Sequence, residues 1–353
     1  MFSLRGYLHN LVTCKIKGPL AAFFRWLLFV LSLVYGLVVR IMAGFYRLHP
    51  AHVNCKVISV GNITLGGTGK TSLVEYLVAK LSLKGNKVAV LTRGYKRDAR
   101  LAGTQGMGDE PAMLQKKLPQ AYVVVDKNRL RGAARAIKEY AVNTLVLDDG
   151  LQQWRIFKDL EIVTIDVQSP FGNLRLLPAG FLREPLSALG RADVFVLTQS
   201  YPGQDTSGIE ASLRKLNSRA LIVESRHSPE GFSNLGKPGE ILSADTFKGK
   251  SVLVFSAIGN PLAFENTVCS LGINIAETLR FADHHDYAQA DLDDILRQAK
   301  EKNLDTIITT EKDAVKISRF RIKQVGIFSL NIKLSITKNE AEFDRRLFKL
   351  YSL

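Results

Sequence analysis

Along most of this chain, short apolar runs alternate with stretches in which apolar residues recur every three to four positions. The β-branched run at 57–60 predicts a buried strand, and 72–83 has helical spacing. Further strand-like runs fall at 87–92, 121–125, 144–147, 161–165, 193–197, 220–223, 251–255, 306–310 and 325–330, with helical stretches between them. This alternation predicts an α/β fold of parallel sheets with helices on both faces, with ligands gathered at the carboxyl ends of the strands. A Gly/Pro/Ser-rich stretch at 228–239 breaks the pattern and predicts a boundary between two α/β lobes near 230–245.

The pattern differs at the N-terminus. Residues 20–45 are dominated by Phe, Leu, Val, Ile, Ala and Trp, with Arg25 and Arg40 bracketing an uncharged core. That core is short for a spanning helix, but with both arginines snorkelling the apolar length reaches about 25 residues, enough for a tilted span. A helix lying in the bilayer interface and a core helix of the first lobe are the other two readings. No small-residue cleavage site follows, so an uncleaved anchor is expected. The organisation is then 1–48 as membrane anchor and basic flank, 49–240 as a nucleotide-binding lobe and 241–353 as a C-terminal α/β lobe.

Charge sharpens this picture. The net charge is +15 over 353 residues, and the basic excess is concentrated in the first 50. Arg5, Lys15, Lys17, Arg25, Arg40 and Arg47 precede the first acid, Glu75. Basic residues beside an apolar segment favour an anionic membrane surface. No basic-aromatic RNA motif, zinc-finger spacing or basic zipper is present, so nucleic acid is not expected as a partner. Cys14, Cys55 and Cys269 are scattered, which argues against a disulfide framework or a zinc site.

The strongest chemical signal lies between the predicted strand 57–60 and helix 72–83. It reads Gly61-Asn62-Ile63-Thr64-Leu65-Gly66-Gly67-Thr68-Gly69-Lys70-Thr71. Glycines let backbone N–H groups wrap an anion, and the following helix offers its positive end to the same anion. Lys70 is placed to reach the β/γ-phosphates and Thr71 to ligate Mg²⁺, which makes a nucleoside triphosphate with Mg²⁺ the expected ligand pair. Thr64 stands where a strict Walker A loop has glycine.

Other polar clusters sit where strands end. The run 143–150 is apolar and closes on Asp148, Asp149 and Gly150, the Walker B arrangement that holds Mg²⁺ directly or through water. Gly106-Met107-Gly108-Asp109-Glu110-Pro111 is either a helix cap or, in a kinase acting on a hydroxyl, the source of a proton-accepting carboxylate. Phe281-Ala282-Asp283-His284-His285-Asp286-Tyr287 is either a His–Asp pair for proton transfer or a solvated turn before a helix at 290–300. Thr310-Glu311-Lys312-Asp313 has Lys and Asp adjacent, which does not fit guanine recognition.

Together these clusters resemble one family, the tetraacyldisaccharide 4'-kinases of lipid A synthesis. The matching pieces are the apolar N-terminal segment, the glycine loop through Thr71, Arg93-Gly94-Tyr95, Gly108 to Pro111 and Leu147 to Gln152. They continue with Leu177 to Gly180, Leu182 to Pro185, Phe281 to Tyr287 and Thr309 to Asp313. The resemblance accounts for Thr64, since the family loop is similar to Gly-Asn-x-Thr-x-Gly-Gly-x-Gly-Lys-Thr; Ser72 departs from a frequent proline. It implies a P-loop NTPase-like α/β/α lobe plus a second, smaller α/β lobe, with the active site in a cleft, and an N-terminal anchoring helix. It further implies ATP- and Mg²⁺-dependent phosphorylation of the 4'-hydroxyl of a tetraacylated glucosamine disaccharide 1-phosphate at the cytoplasmic face of the inner membrane. Carried onto this chain, Asn62, Gly66, Gly67, Thr68, Gly69, Lys70 and Thr71 hold the nucleotide. Thr71, Asp148, Asp149 and Glu184 serve the metal, and Asp109 with His284 (His285 as the alternate) forms the proton-accepting pair, with Glu110 beside them. No obligate protein partner is expected. A membrane-associated P-loop ATPase switch that drives partner assembly is the competing reading; it shares the loop and the Walker B carboxylates but has no use for Asp109 and a histidine.

Overall fold

The computed structural model describes residues 7, 10–94, 114–115, 117–200, 203–237, 239–283, 285–320 and 326–352. Helix α1 (Pro19–Leu48) leads into β1 (Lys56–Gly61), α2 (Lys70–Leu83), β2 (Val88–Thr92), β3 (Tyr122–Val125), α3 (Arg129–Tyr140) and β4 (Thr144–Asp148). Then come β5 (Leu160–Asp166), β6 (Val194–Thr198), α4 (Ser207–Leu216), β7 (Leu221–Asn234), β8 (Ile241–Leu242), β9 (Ser251–Ser256) and α5 (Pro261–Ser270). The chain finishes with β10 (Asn274–Arg280), α6 (Gln289–Glu301), β11 (Thr306–Thr310), α7 (Glu311–Ile317), β12 (Gly326–Lys338) and α8 (Glu340–Lys349).

The contacts form two units, neither of them one continuous stretch. The first holds Met1–Arg93, Gln120–Arg226 and Ile336–Leu353; the second holds Gly94–Pro119 and His227–Ser335. In the first unit the strands run in the order β7-β6-β5-β1-β4-β2-β3, and each of these pairings is parallel. Such strands are covered on both faces, so they read as continuous apolar runs; β1, β2 and β4 are buried almost throughout. On one face Val163, Phe195 and Leu197 pack with Leu213 of α4. Further along the same face, as the pairing of Val57 with Leu145 and of Gly61 with Val163 requires, Ala89, Leu91 and Leu145 pack with Ala133 and Ala136 of α3. Leu73, Val74, Leu77, Val78 and Leu81 of α2 are fully buried, each worth about 1.5–3 kcal/mol relative to exposure.

The C-terminal helix returns to this unit. Phe343 of α8 is fully buried and lies near the Tyr76 ring of α2, with centroids 6.4 Å apart. Lys80 of α2 donates to both Asp344 oxygens at 2.6 and 2.7 Å and to Glu340 at 2.9 Å.

In the second unit the order β10-β9-β11-β12 is again parallel, with β8 antiparallel to the end of β7. Leu253, Phe255 and Ile307 meet Leu292 and Ile295 of α6, while Val252, Val254 and Ile308 meet Phe264 and Val268 of α5. The stretch 228–239, expected as a loop-rich break, is mostly strand, because β7 runs on for 14 residues to Asn234. The reason is pairing that composition does not show. Phe232 and Ser233 pair with β8, while Ser228 bonds Ser335 and Ser233 bonds Asn331 of β12. Strand β10 was likewise not anticipated; its half-exposed pattern carries little apolar signal.

Candidate active site

The register of two central strands sets the site. Val60 of β1 lies opposite Asp148 of β4, so the glycine loop and the Walker B carboxylates leave the sheet side by side at the carboxyl edge. In the loop, Thr64 forms an antiparallel bridge with Leu182. Leu65 N donates to Phe181 O at 2.7 Å and Arg183 N to Ile63 O at 2.8 Å. A β-branched residue suits that extended backbone, which is why Thr64 needs no glycine. Gly69 does need to be glycine, since it caps α2 in the left-handed region at φ 74°.

The loop carbonyls turn back into the sheet. Gly67 O accepts from Gln199 Nε2 at 3.1 Å, and Thr68 O accepts from Thr198 Oγ1 at 3.1 Å. Thr68 itself is buried with its hydroxyl 2.7 Å from that of Thr164. In a trans peptide the N–H opposes the C=O, so the Thr68 and Gly69 N–H groups point away from the sheet. There they join the free first turn of α2, an arrangement suited to phosphate oxygens. Gln199, which fastens the loop, lies at φ 60°; single-residue patterns did not point to it.

Lys70 Nζ donates to Asn62 Oδ1 at 3.0 Å and lies 3.7 Å from Asp149 Oδ1. Asn62 is rigid, because its Nδ2 donates to Thr64 O at 2.7 Å. Arg183 grips Asp149 with two bonds of 2.6 and 2.9 Å and reaches Asn62 Oδ1 at 3.3 Å. Burial alone would raise the Asp149 carboxyl, but Arg183 first and Lys70 after it hold it below its ordinary value. Asp149 has φ 57°, a strained backbone of the kind that clusters at functional sites. The next residue, Gly150, is required by space: a Cβ there would meet Ser59 Oγ at 2.4 Å.

Asp148 is buried and accepts from Thr92 Oγ1 at 3.3 Å. Behind it lies Arg129, 4% exposed, which donates to Asp148 O at 3.2 Å and Asp126 O at 2.5 Å. The sequence reading missed Arg129, as an arginine opening a helix looks like a surface residue. Asp166, at the end of β5, was also missed. With Thr64 to Thr68 and Phe181 it lines a cleft of about 300 Å³ beside the loop tip, and burial pushes its carboxyl up.

Glu184, expected among the metal ligands, has a different environment. It is 1% exposed, and Arg191 donates to its two oxygens at 2.9 and 3.0 Å. Gln152 Nε2 and Trp154 Nε1 also donate to it, at 3.1 and 3.4 Å. Arg191, Gln152 and Trp154 together hold Glu184 beside Arg183 and its Asp149. Replacing Arg191 by methionine leaves a buried, uncompensated charge and is expected to cost about 3–5 kcal/mol of stability. Denaturant unfolding checks this, and an unchanged midpoint would count against it.

Asp109, Glu110 and His284 lie outside the described residues. His285, the alternate, belongs to the second unit, where its Nε2 lies 3.0 Å from Asp291 Oδ2.

Comparisons with known proteins bear on this arrangement. The family model described as tetraacyldisaccharide-1-P 4'-kinase (LpxK) matches residues 24–352. The tetraacyldisaccharide 4'-kinase of Halothermothrix orenii is 35% identical over 367 residues, spanning 94% of this chain and 94% of the relative. That of Syntrophotalea carbinolica is 36% identical over 326 residues, spanning 87% and 88%. Among solved structures, the "apo" form of LpxK from Aquifex aeolicus in complex with ATP matches with a TM-score of 0.75 at 29% identity, covering 93% of this chain and all of that one.

Proposed function

The chain belongs to the tetraacyldisaccharide-1-phosphate 4'-kinases, which phosphorylate the 4'-position of a lipid A precursor, and we propose the following division of labour among its residues. The triphosphate of ATP lies along the N–H groups of Gly66 to Lys70. Lys70 neutralises charge on the transferring group, and Asn62 and Asp149 aim its ammonium beforehand. Phosphoryl transfer needs mainly this positioning and neutralisation. Thr71, Asp148 and Asp149 offer hard oxygen donors, two of them carboxylates, which suits a Mg²⁺ that keeps its waters and shares phosphate oxygens. When bound, the cation adds neutralisation at those oxygens. Asp109 accepts the proton of the 4'-hydroxyl, and His284 is its partner; Glu110 is a further carboxylate of the same sequence motif.

The observation that carries this reading is the Asn62–Lys70–Asp149–Arg183 cluster at the carboxyl edge of β1 and β4. Its test is transfer of labelled phosphate from ATP to the tetraacyl disaccharide 1-phosphate in detergent. ATP hydrolysis stimulated by a protein, with no labelled lipid, would favour the ATPase-switch reading instead.

The substrate's acyl chains stay in a bilayer, so the enzyme must meet it there. Helix α1 presents Leu33, Leu37, Ile41 and Phe45, all more than half exposed, along one side. Ser32, Gly36, Val39 and Ala43 on the other side are buried. That inner face docks at mid-helix, where Tyr35 donates to Arg183 O at 2.8 Å. A span centred in the hydrocarbon would drag the Arg183 backbone and its neighbours in with it, a costly burial of polar groups. We therefore assign α1 to the plane of the cytoplasmic interface, with its outer side in the lipid. Cys14 and Cys269 are both exposed. In sealed vesicles with the cytoplasmic face outward, an impermeant maleimide is expected to modify both. Protection of Cys14 alone would mean that α1 spans.

A further inference from the structure

His285 and the two residues after it are held far more firmly than a solvated turn requires. His285 N donates to Ala282 O at 2.9 Å, closing a turn. His285 O accepts from Lys316 Nζ at 3.2 Å. The imidazole is stacked on Phe281 at 4.9 Å between centroids and sits edge-on to Tyr287 at 5.0 Å. Its Nε2 is 3.0 Å from Asp291 Oδ2, the same oxygen that accepts from Ala288 N at 2.8 Å at the start of α6. Arg319 holds the next two residues, donating to Asp286 Oδ1 at 2.7 Å and to Tyr287 O at 2.8 Å.

The lysine of this frame is itself anchored. Lys316 is largely buried, with its ammonium 3.8 Å from Asp313 Oδ1. Asp313 is fully buried, and its Oδ2 accepts from Thr310 Oγ1 at 2.7 Å and from Ala257 N at 3.1 Å. The Thr310-Glu311-Lys312-Asp313 run, unsuited to guanine, thus forms the base of a scaffold that reaches His285 through Lys316. Burying an ion pair is costly and adds little net stability, so geometry is the better reason for it.

We propose that Asp291, Lys316 and Arg319 are positioning residues for catalysis: they lock His285 and the two residues after it as a frame, and the proton relay runs through the neighbouring His284. This rests on the Asp109–histidine reading above. A ring with one nitrogen committed to Asp291 and its face covered by Phe281 serves to hold the segment. A misplacement of about 1 Å at a reacting group can cost a hundredfold in rate, which is what such a frame prevents.

The test uses the full-length enzyme in detergent with ATP and the disaccharide substrate. Asp291→Asn and Lys316→Met are expected to lower kcat about tenfold to a hundredfold while leaving KM for ATP within about twofold. Lys316→Arg should restore most of the loss. The acid limb of the kcat–pH profile should stay in place in Asp291→Asn while the plateau falls. An acid limb that moves with this substitution would make His285 the titrating group and overturn the assignment. So would wild-type kcat in both variants. If Lys316→Met does not fold, the exposed Arg319→Gln probes the same frame, with an expected loss of about threefold; no loss counts against the frame. His284→Ala separates the two levels: full turnover there removes the histidine relay itself, whereas an inactive His284→Ala beside a fully active Asp291→Asn removes only the frame.

Discussion

Lys70→Met is expected to lower kcat/KM for phosphate transfer by about a thousandfold or more, roughly 4 kcal/mol of transition-state stabilisation. Methionine keeps the length of the side chain and removes the charge. That charge is held by the protein itself, 3.0 Å from Asn62 Oδ1 and 3.7 Å from Asp149 Oδ1. Because it is aimed in advance, no reorganisation is needed as charge develops on the transferring phosphate. The loss should fall on both kcat and ATP affinity, since the lysine meets the triphosphate in ground and transition states alike. A variant within tenfold of wild type would remove Lys70 from the chemistry.

The same substitution has a consequence for stability. The Asp149 carboxyl lies below its ordinary value of 3.8 in the folded protein, held down by Arg183 and Lys70 against burial. A carboxylate depressed by folding adds stability above that ordinary value and loses it as pH falls through the folded value. Taking away Lys70 weakens the depression, so the variant should be slightly less stable at neutral pH and should lose less on acidification. Arg183 keeps its two bonds to Asp149, so that carboxylate remains ionised at neutral pH.

The second large effect is expected at Asp109, the proposed proton acceptor. Asp109→Asn conserves shape and removes the basic oxygen, so kcat should fall by about 10²–10⁴-fold with ATP affinity within about twofold. The split distinguishes this residue from Lys70. His284→Ala should resemble it, and the double variant should be little worse than either single one, because residues that act as a unit are not additive. Nucleotide titration alongside single-turnover transfer reads both quantities. Undiminished kcat in Asp109→Asn would leave Gly106 to Pro111 with only the capping role that its composition also allows.

Much of this was legible because the chemistry is written in contiguous segments. A strand, four glycines, Gly69-Lys70-Thr71 and a helix form one stretch of chain, and the geometry of a phosphate loop follows from local backbone preferences. Asp148 and Asp149 were legible for the same reason, as carboxylates closing an apolar run. The α/β alternation was legible because buried parallel strands and amphipathic helices differ in periodicity.

What escaped were partners far apart in the chain. Arg183 meets Asp149 across 34 positions, and Lys80 meets Asp344 across 264. Glu184 carries the same negative charge as Asp148, and only the fold shows that Arg191, Gln152 and Trp154 enclose it. Strand β7 ran through a stretch whose composition read as a break, because β8 and β12 supplied its hydrogen bonds. The apolar helix α1 was plain in the sequence, but its docking at mid-helix through Tyr35 and Gly36 was not. Sequence by itself determined the fold class, the nucleotide loop and the carboxylate pair, since each depends on neighbours along the chain. Tertiary structure alone decided which charges are buried, which are paired and which face of α1 stays exposed, since burial and pairing arise only when distant segments pack.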